Sequence, residues 1–169
     1  MDRVQLSPFE RVDDLCRALT GGGAFLVVQD PAGKPNPMTI GWGMVGVVWG
    51  MPMMTVLVRP SRFTFGLIER APRWSVCVPL GKMEKALAYC GSHSGRDCDK
   101  LARCKLKAAP GLLPEVSVLE GCDLFYECET VHKNDVLRER LASSVRQQYY
   151  PAEDFHTLYF GKILYSYAR

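Results

Sequence analysis

The residues of this chain best suited to chemistry fall in three short runs. The first is Asn36-Pro37-Met38-Thr39-Ile40-Gly41-Trp42-Gly43, a turn feeding a strand. The second is Arg59-Pro60-Ser61-Arg62-Phe63-Thr64, a strand running into a helix start. The third is Gly91-Ser92-His93-Ser94-Gly95-Arg96-Asp97, a polar glycine-bearing loop before another helix start. Helix starts carry unsatisfied N–H donors and a partial positive charge. With the hydroxyls of Ser61 and Thr64 and the guanidinium groups of Arg59 and Arg62 beside it, the second run suits an anion such as a phosphate. The plainer alternative is that Ser61 only caps the helix and the arginines are solvated. In the first run Asn36, Thr39 and the exposed amides offer hydrogen bonds at a rim, against the alternative of ordinary turn chemistry. Together the first two runs point to a phosphorylated, flat, aromatic ligand. In the third run Arg96 can reach an anion or a neighbouring subunit, and Asp97 or Ser94 can cap the following helix. His93 reads more simply as a hydrogen-bonding bystander.

Other chemistries find little support. Gly41-Trp42-Gly43-Met44-Val45-Gly46 matches the dinucleotide pattern G-x-G-x-x-G, but that motif needs a helix to start within it. Here Val47-Val48-Trp49-Gly50-Met51-Pro52 follows, a poor helix former, so the glycines mark bulges or a close approach on a strand. No Ser/His/Asp order is convincing, and His132 and His156 fall at strand ends. The 3 His do not build a metal site with the carboxylates. Of the 7 cysteines, none forms a Cys-x-x-Cys pair, and the spacings Cys98/Cys104 and Cys122/Cys128 are wrong for zinc knuckles. Most read as small apolar residues of a reducing cell, with Cys90 and Cys98 the candidates for a redox thiol.

These runs need a scaffold. The 169 residues make one domain, long enough to bury roughly 70% of the unfolded surface without staples. A net charge of +3 with no block of like charges argues against nucleic acid. The most apolar stretch, Val45 to Met54, is interrupted by Gly46, Gly50 and Pro52, so no membrane span is expected. The N-terminus Met1-Asp2-Arg3-Val4-Gln5 lacks a secretory core, and a cytoplasmic location is expected.

Along the chain, a short helix around Asp14–Leu19 ends at Gly21-Gly22-Gly23, and Ala24–Gln29 is a strand. Asp30-Pro31-Ala32-Gly33 turns the chain, and Met38–Trp49 returns antiparallel. Gly50-Met51-Pro52 turns it again into the strand Met53–Val58. The helical spacing of Phe63, Leu67 and Ile68 predicts a helix over Arg62–Arg70 with Ser61 as its cap. Trp74–Val78 is a strand, Met83–Cys90 an amphipathic helix, and Asp99–Lys105 a short helix. Pro110 to Pro114 reads as loop, Val116–Leu119 and Asp123–His132 as strands, Asn134–Tyr150 as a surface excursion, and Leu158–Tyr167 as a last strand. Six or seven strands in hairpin order, without strand–helix–strand alternation, predict an all-β or α+β fold: an antiparallel, closed or split barrel with short inserted helices.

The three runs in this order, with Cys90 ahead of the third and Asp99-Lys100 after it, resemble the flavin reductase-like family, especially its flavoredoxin-type branch. His156-Thr157-Leu158-Tyr159-Phe160-Gly161-Lys162-Ile163-Leu164 is similar to that family's last strand, and the resemblance runs from about Ala24 to the C-terminus. It implies a Greek-key-like split β-barrel that binds flavin mononucleotide (FMN), usually as a homodimer. Carried onto matching positions, Asn36, Met38, Thr39 and Ile40 would line the isoalloxazine ring. Arg59, Ser61, Arg62 and Thr64 would hold the phosphate. Ser94, Gly95 and Arg96 would close the site, within one chain or across the dimer. The activity implied is oxidoreduction, with NADH or NADPH as reductant and a small molecule or a redox partner protein as acceptor. Two alternatives stay open: a flavoredoxin-type electron carrier that does not use nicotinamide, and a non-catalytic split-barrel binding module. The chain departs from the family in its cysteine count, in Trp74 where a smaller aromatic is common, and in Asn134–Tyr150, which fits no motif.

Overall fold

The computed structural model describes residues 3–169. Its elements, in chain order, are β1 (Val4–Gln5), α1 (Val12–Gly21), β2 (Ala24–Gln29), β3 (Pro35–Ile40), β4 (Gly43–Val48), β5 (Met51–Val58) and α2 (Phe63–Ile68). There follow β6 (Arg73–Val78), α3 (Glu84–Ser92), α4 (Lys100–Cys104), β7 (Ala108–Pro110), β8 (Ser117–Leu119) and β9 (Leu124–Asp135). The chain closes with α5 (Ser143–Tyr149) and β10 (Thr157–Ala168).

Eight strands form one antiparallel sheet in the order β3-β2-β6-β9-β10-β5-β4, with β1 on β10. Side chains alternate faces along a strand, and here both faces of the central strands are buried. Ala24, Leu26 and Val28 of β2 join Val56, Trp74, Tyr126 and Tyr159 in one cluster. Phe25 and Val27 join Cys77, Leu87, Val118 and Phe125 in a second. The first cluster collects residues from β2, β3, β5, β6, β9 and β10, as the inside of a barrel must. Its two end strands are β3 and β4, so the barrel is split between them. The second cluster is roofed by α3 and the β7–β8 pair.

The barrel interior depends on Gly161. A Cβ there would collide with Trp74 Cζ2 and lie 2.8 Å from Cys128 Cβ. Glycine thus makes room for the Trp74 indole, which is fully buried and donates to Thr130 Oγ1 at 2.8 Å. This accounts for the large aromatic on β6.

Several expected boundaries shift. The single strand expected over Met38–Trp49 is two, because Gly41-Trp42 breaks it: β3 pairs with β2 and β4 with β5. The hairpin turn sits at Trp49-Gly50, both at positive φ (53° and 71°), as a tight two-residue turn demands, and not at Gly50-Met51-Pro52. Part of the G-x-G-x-x-G run therefore lies on strand β4, in line with its rejection as a dinucleotide loop. Among the described residues there are ten strands, above the six or seven expected; β1 and β7 had too few residues to show a period. Asn134 and Asp135 extend β9, where they pair with β10. Pro110 pairs with Ser117, and the loop after it is pinned by the buried Glu127 carboxylate, which accepts the amides of Leu112 and Leu113 and the Tyr167 hydroxyl. Four cysteines, Cys77, Cys90, Cys122 and Cys128, are buried as expected of small apolar residues; Cys16 is exposed, and Cys98 and Cys104 are half-buried.

Candidate functional site

The end of β3 and the residues at the end of β5 line one cavity, with α3 and α4 against β3, and this brings the three runs together. Asn36 Nδ2 donates to Thr64 Oγ1 at 2.8 Å, with both side chains buried. A Cβ on Gly95 would collide with Asn36 Oδ1 and lie 3.0 Å from Phe63 Cδ1. Only the bare backbone of glycine can come this near. Arg96 then lies over the Phe63 ring, 5.7 Å from its centre, and Ser94 Oγ accepts the Arg96 amide at 3.1 Å. The third run thus closes on the first and second within one chain.

Lys100 fixes this arrangement. Its buried ammonium donates to the carbonyls of Pro37 and Cys90, both at 3.0 Å, tying α4 to β3 and α3. Burial pulls its pKa below the usual lysine value. Thr39 Oγ1 donates to the Leu87 carbonyl at 2.6 Å, a second tie between β3 and α3.

Two caps differ from expectation. Ser61 does not cap α2: the capping position is Arg62, without a side-chain bond. Neither Asp97 nor Ser94 caps α4; Asp99 does, accepting the Ala102 amide at 3.1 Å. Each helix starts near the expected place, but the capping position lies one residue past Ser61 in α2 and two past Asp97 in α4.

A cavity of about 180 Å³ opens between these elements, lined by Met38, Thr39, Ile40, Gly41, Trp42, Leu57, Arg59, Arg62 and His156. Five of the eleven expected site residues, Met38, Thr39, Ile40, Arg59 and Arg62, border it directly. Asn36, Thr64, Gly95 and Arg96 stand behind it as supports. Ser61 is not among the lining residues; its hydroxyl donates to Asp154 Oδ2 at 2.5 Å. Arg59 donates to the carbonyls of Tyr149 (2.9 Å) and Asp154 (3.0 Å) and lies over the Tyr150 ring at 5.1 Å. Arg62 has only a long contact, 3.4 Å, to the Gly91 carbonyl.

The segment after α5 supplies what the sequence had not indicated. Tyr150 and His156 pack against Trp42: the His156 ring lies 4.9 Å from the Trp42 ring, and Tyr150 Oη is hydrogen-bonded to His156 Nδ1 at 2.9 Å, while Asp154 between them bonds Ser61. Burial, reinforced by the charges of Arg59 and Arg62, pushes the His156 pKa down to about 4, so the ring is neutral at neutral pH. Trp42 and His156 lie within the first run and the last-strand motif and were in reach of a sequence argument. Tyr150 and Asp154 lie in a polar stretch with no period, so nothing signalled them. Asn134–Tyr150 is therefore more than a surface excursion: its end folds back onto the site. His93 stacks on Tyr89 and bonds its own helix end, as a bystander does.

A larger cleft, about 550 Å³, lies between Gln29–Gly33 and Leu67–Arg73. Its cations are engaged elsewhere, Arg73 with Glu129 at 2.9 Å and Arg70 with the Gly66 carbonyl at 2.8 Å. It holds none of the expected site residues.

Chemically, the smaller cavity joins two guanidinium groups and a neutral imidazole at one side to apolar and backbone groups at the other. This donor set fits a ligand with an anionic tail and a flat head, as FMN is. At about 180 Å³ it lies below the roughly 300 Å³ at which pockets enclose whole small molecules, so it would take one part of such a ligand with the rest along the rim.

Comparison with known proteins agrees with this architecture. Residues 17–167 match the flavin reductase like domain. A flavoredoxin of Methanosarcina acetivorans superposes with a TM-score of 0.70 at 25% identity, over 88% of this chain and 68% of that one. An FMN-binding protein of Thermus thermophilus gives 0.68 at 24% identity, over 88% and 72%. An NADH:FAD oxidoreductase of Streptomyces globisporus gives 0.67 at 18%, over 98% and 87%. In sequence, an uncharacterized protein of Archaeoglobus fulgidus is 25% identical over 132 residues; the match covers 78% of this chain and 64% of that relative's length. The barrel is thus the split barrel of these structures. Among the described residues no helix is long and apolar enough to cross a membrane.

Proposed function

Because the chain belongs to the flavin reductase like domain family, we propose that it is an FMN-binding oxidoreductase, reduced by NADH or NADPH, that passes electrons to a small molecule or a redox partner protein. The observation that carries this reading is the convergence of Arg59 and Arg62 with the β3 end around one cavity. Arg59, Ser61 and Arg62 would hold the phosphate. The backbone of Met38–Ile40 would face the ring, with Asn36 and Thr64 as the buried pair that fixes β3 against α2. Bound FMN would supply the hydride-accepting chemistry. What the chain supplies is position and charge: guanidinium groups at the tail and amides at the rim, without a side-chain base. Neutral His156 and the Trp42 ring form an aromatic wall beside the cavity.

A second reading is a flavoredoxin-type carrier that takes electrons from a protein and not from nicotinamide; the flavoredoxin of Methanosarcina acetivorans, at 25% identity, favours it. A third is a binding module without flavin, against which stands the presence of Asn36, Ser61, Arg62 and Thr64 together. Anaerobic mixing of the flavin-loaded protein with NADH, then with NADPH, separates the first two. Bleaching of the flavin band by either supports the reductase, and failure of both overturns it. Failure of the purified chain to take up FMN overturns both flavin readings.

For assembly we propose a homodimer. The edge strand β4 and its turn present Met44, Val47 and Trp49, each more than half exposed, an apolar strip suited to a second copy. Seven free cysteines suit a reducing, cytoplasmic setting.

A further inference from the structure

Two of the groups assigned above to the phosphate are already engaged by the chain itself. The Ser61 hydroxyl gives its one proton to the Asp154 carboxylate, and Arg59 spends donors on the carbonyls of Tyr149 and Asp154. The carboxylate thereby takes the hydroxyl proton that an incoming anion would need. It is held there from both sides: Tyr150, with its ring buried, precedes it, and His156, bonded to Tyr150, follows it. Between them Glu153 turns the chain in the left-handed conformation (φ 56°), uncommon for a non-glycine residue, and its carboxylate pairs with Arg138 at 2.8 Å. Arg62, by contrast, has only its long contact to Gly91 and is available to an incoming anion.

We propose that Asp154 is an internal competitor for the phosphate of the flavin, so that FMN is held as an exchangeable ligand and not as a permanently retained group. The inference rests on the phosphate reading above. A hydroxyl cannot donate its proton to a carboxylate and to a phosphate at once, and two anions at one serine repel. FMN therefore binds only as Asp154 leaves Ser61, while the Tyr150–His156 anchor keeps the segment attached. Riboflavin, which has no phosphate, does not meet this competition.

The test is titration of the purified full chain with FMN and with riboflavin, followed by flavin fluorescence, in the wild type, Asp154→Asn and Asp154→Ala. Asparagine keeps the shape and an acceptor but removes the charge, and it reads the same effect should the alanine variant fail to fold. The expected result is FMN binding tightened about tenfold in Asp154→Asn and more in Asp154→Ala, with riboflavin unchanged within about twofold. The variants should also retain FMN through desalting better than the wild type, and inorganic phosphate should compete more effectively in them. If the wild type prefers FMN to riboflavin and both variants bind FMN equally or more weakly, Asp154 is a structural anchor and the proposal is overturned. If neither the wild type nor either variant prefers FMN to riboflavin, it is the phosphate reading itself that fails.

Discussion

Asn36 Nδ2 donates to Thr64 Oγ1 at 2.8 Å in a buried setting, so residues 28 positions apart in sequence form one polar unit between β3 and α2. Both motifs are defined by this bond: neither side chain reaches the cavity, yet each sets the element that does.

Removing one partner leaves the other buried and unsatisfied. Thr64→Val should destabilise the fold by about 1–3 kcal/mol, and Asn36→Ala by a similar amount. The double variant should cost less than the sum, with a coupling of about 1 kcal/mol in urea denaturation. Strict additivity would mean that the bond contributes nothing.

Of the two guanidinium groups lining the cavity, Arg62 is the less engaged by the protein. Arg62→Ala should weaken FMN by about tenfold to a hundredfold, the effect of one charged hydrogen bond, and leave riboflavin unchanged. Thr64 is a poor second target, since its loss also strands Asn36. Equal losses for both flavins in a titration would place the phosphate elsewhere.

His156 carries a pH signature. Its pKa is lowered from the ordinary 6.5 to about 4 by burial and by Arg59 and Arg62. Above 6.5 neither folded nor unfolded chain binds the proton, so pH has no effect through this group. Below 6.5 the unfolded chain takes up the proton and the folded one does not, so stability falls as pH drops to about 4, by on the order of 3 kcal/mol. Urea midpoints between pH 7 and 4 should show this slope, and His156→Gln should flatten it. A wild-type slope that survives the substitution would assign it to other groups.

Gly161→Ala tests the barrel interior. The added Cβ collides with Trp74 and meets Cys128, both fully buried. A loss of about 1–3 kcal/mol, or more, is expected in thermal or urea unfolding. Partial rescue by Trp74→Phe, which makes room, would confirm the clash as the cause.

The strands and helices of the site were legible because each carries its own period or punctuation. Ala24–Gln29 is continuous apolar sequence and is strand β2 at the same bounds. The change of period at Phe63 marks α2, and Gly21-Gly22-Gly23 marks the end of α1. The break at Gly41-Trp42 was not legible, because apolar residues continue across it and only the different partners of β3 and β4 create it. Nor were the caps: Ser61 is an apt type, yet the capping position fell on Arg62, and Asp97 is as apt by type as Asp99.

By itself the sequence determined the kind of molecule: short strands in hairpin order, and three runs rich in hydroxyls, amides and guanidinium groups, because residue type and spacing act locally. Only the tertiary structure decided what those groups face. It turned Ser61 and Arg59 toward Asp154 and Tyr149, more than ninety residues from Ser61 in the first case and ninety from Arg59 in the second, and set His156 against Trp42. Contacts of that range depend on how the sheet closes, and no local pattern records them.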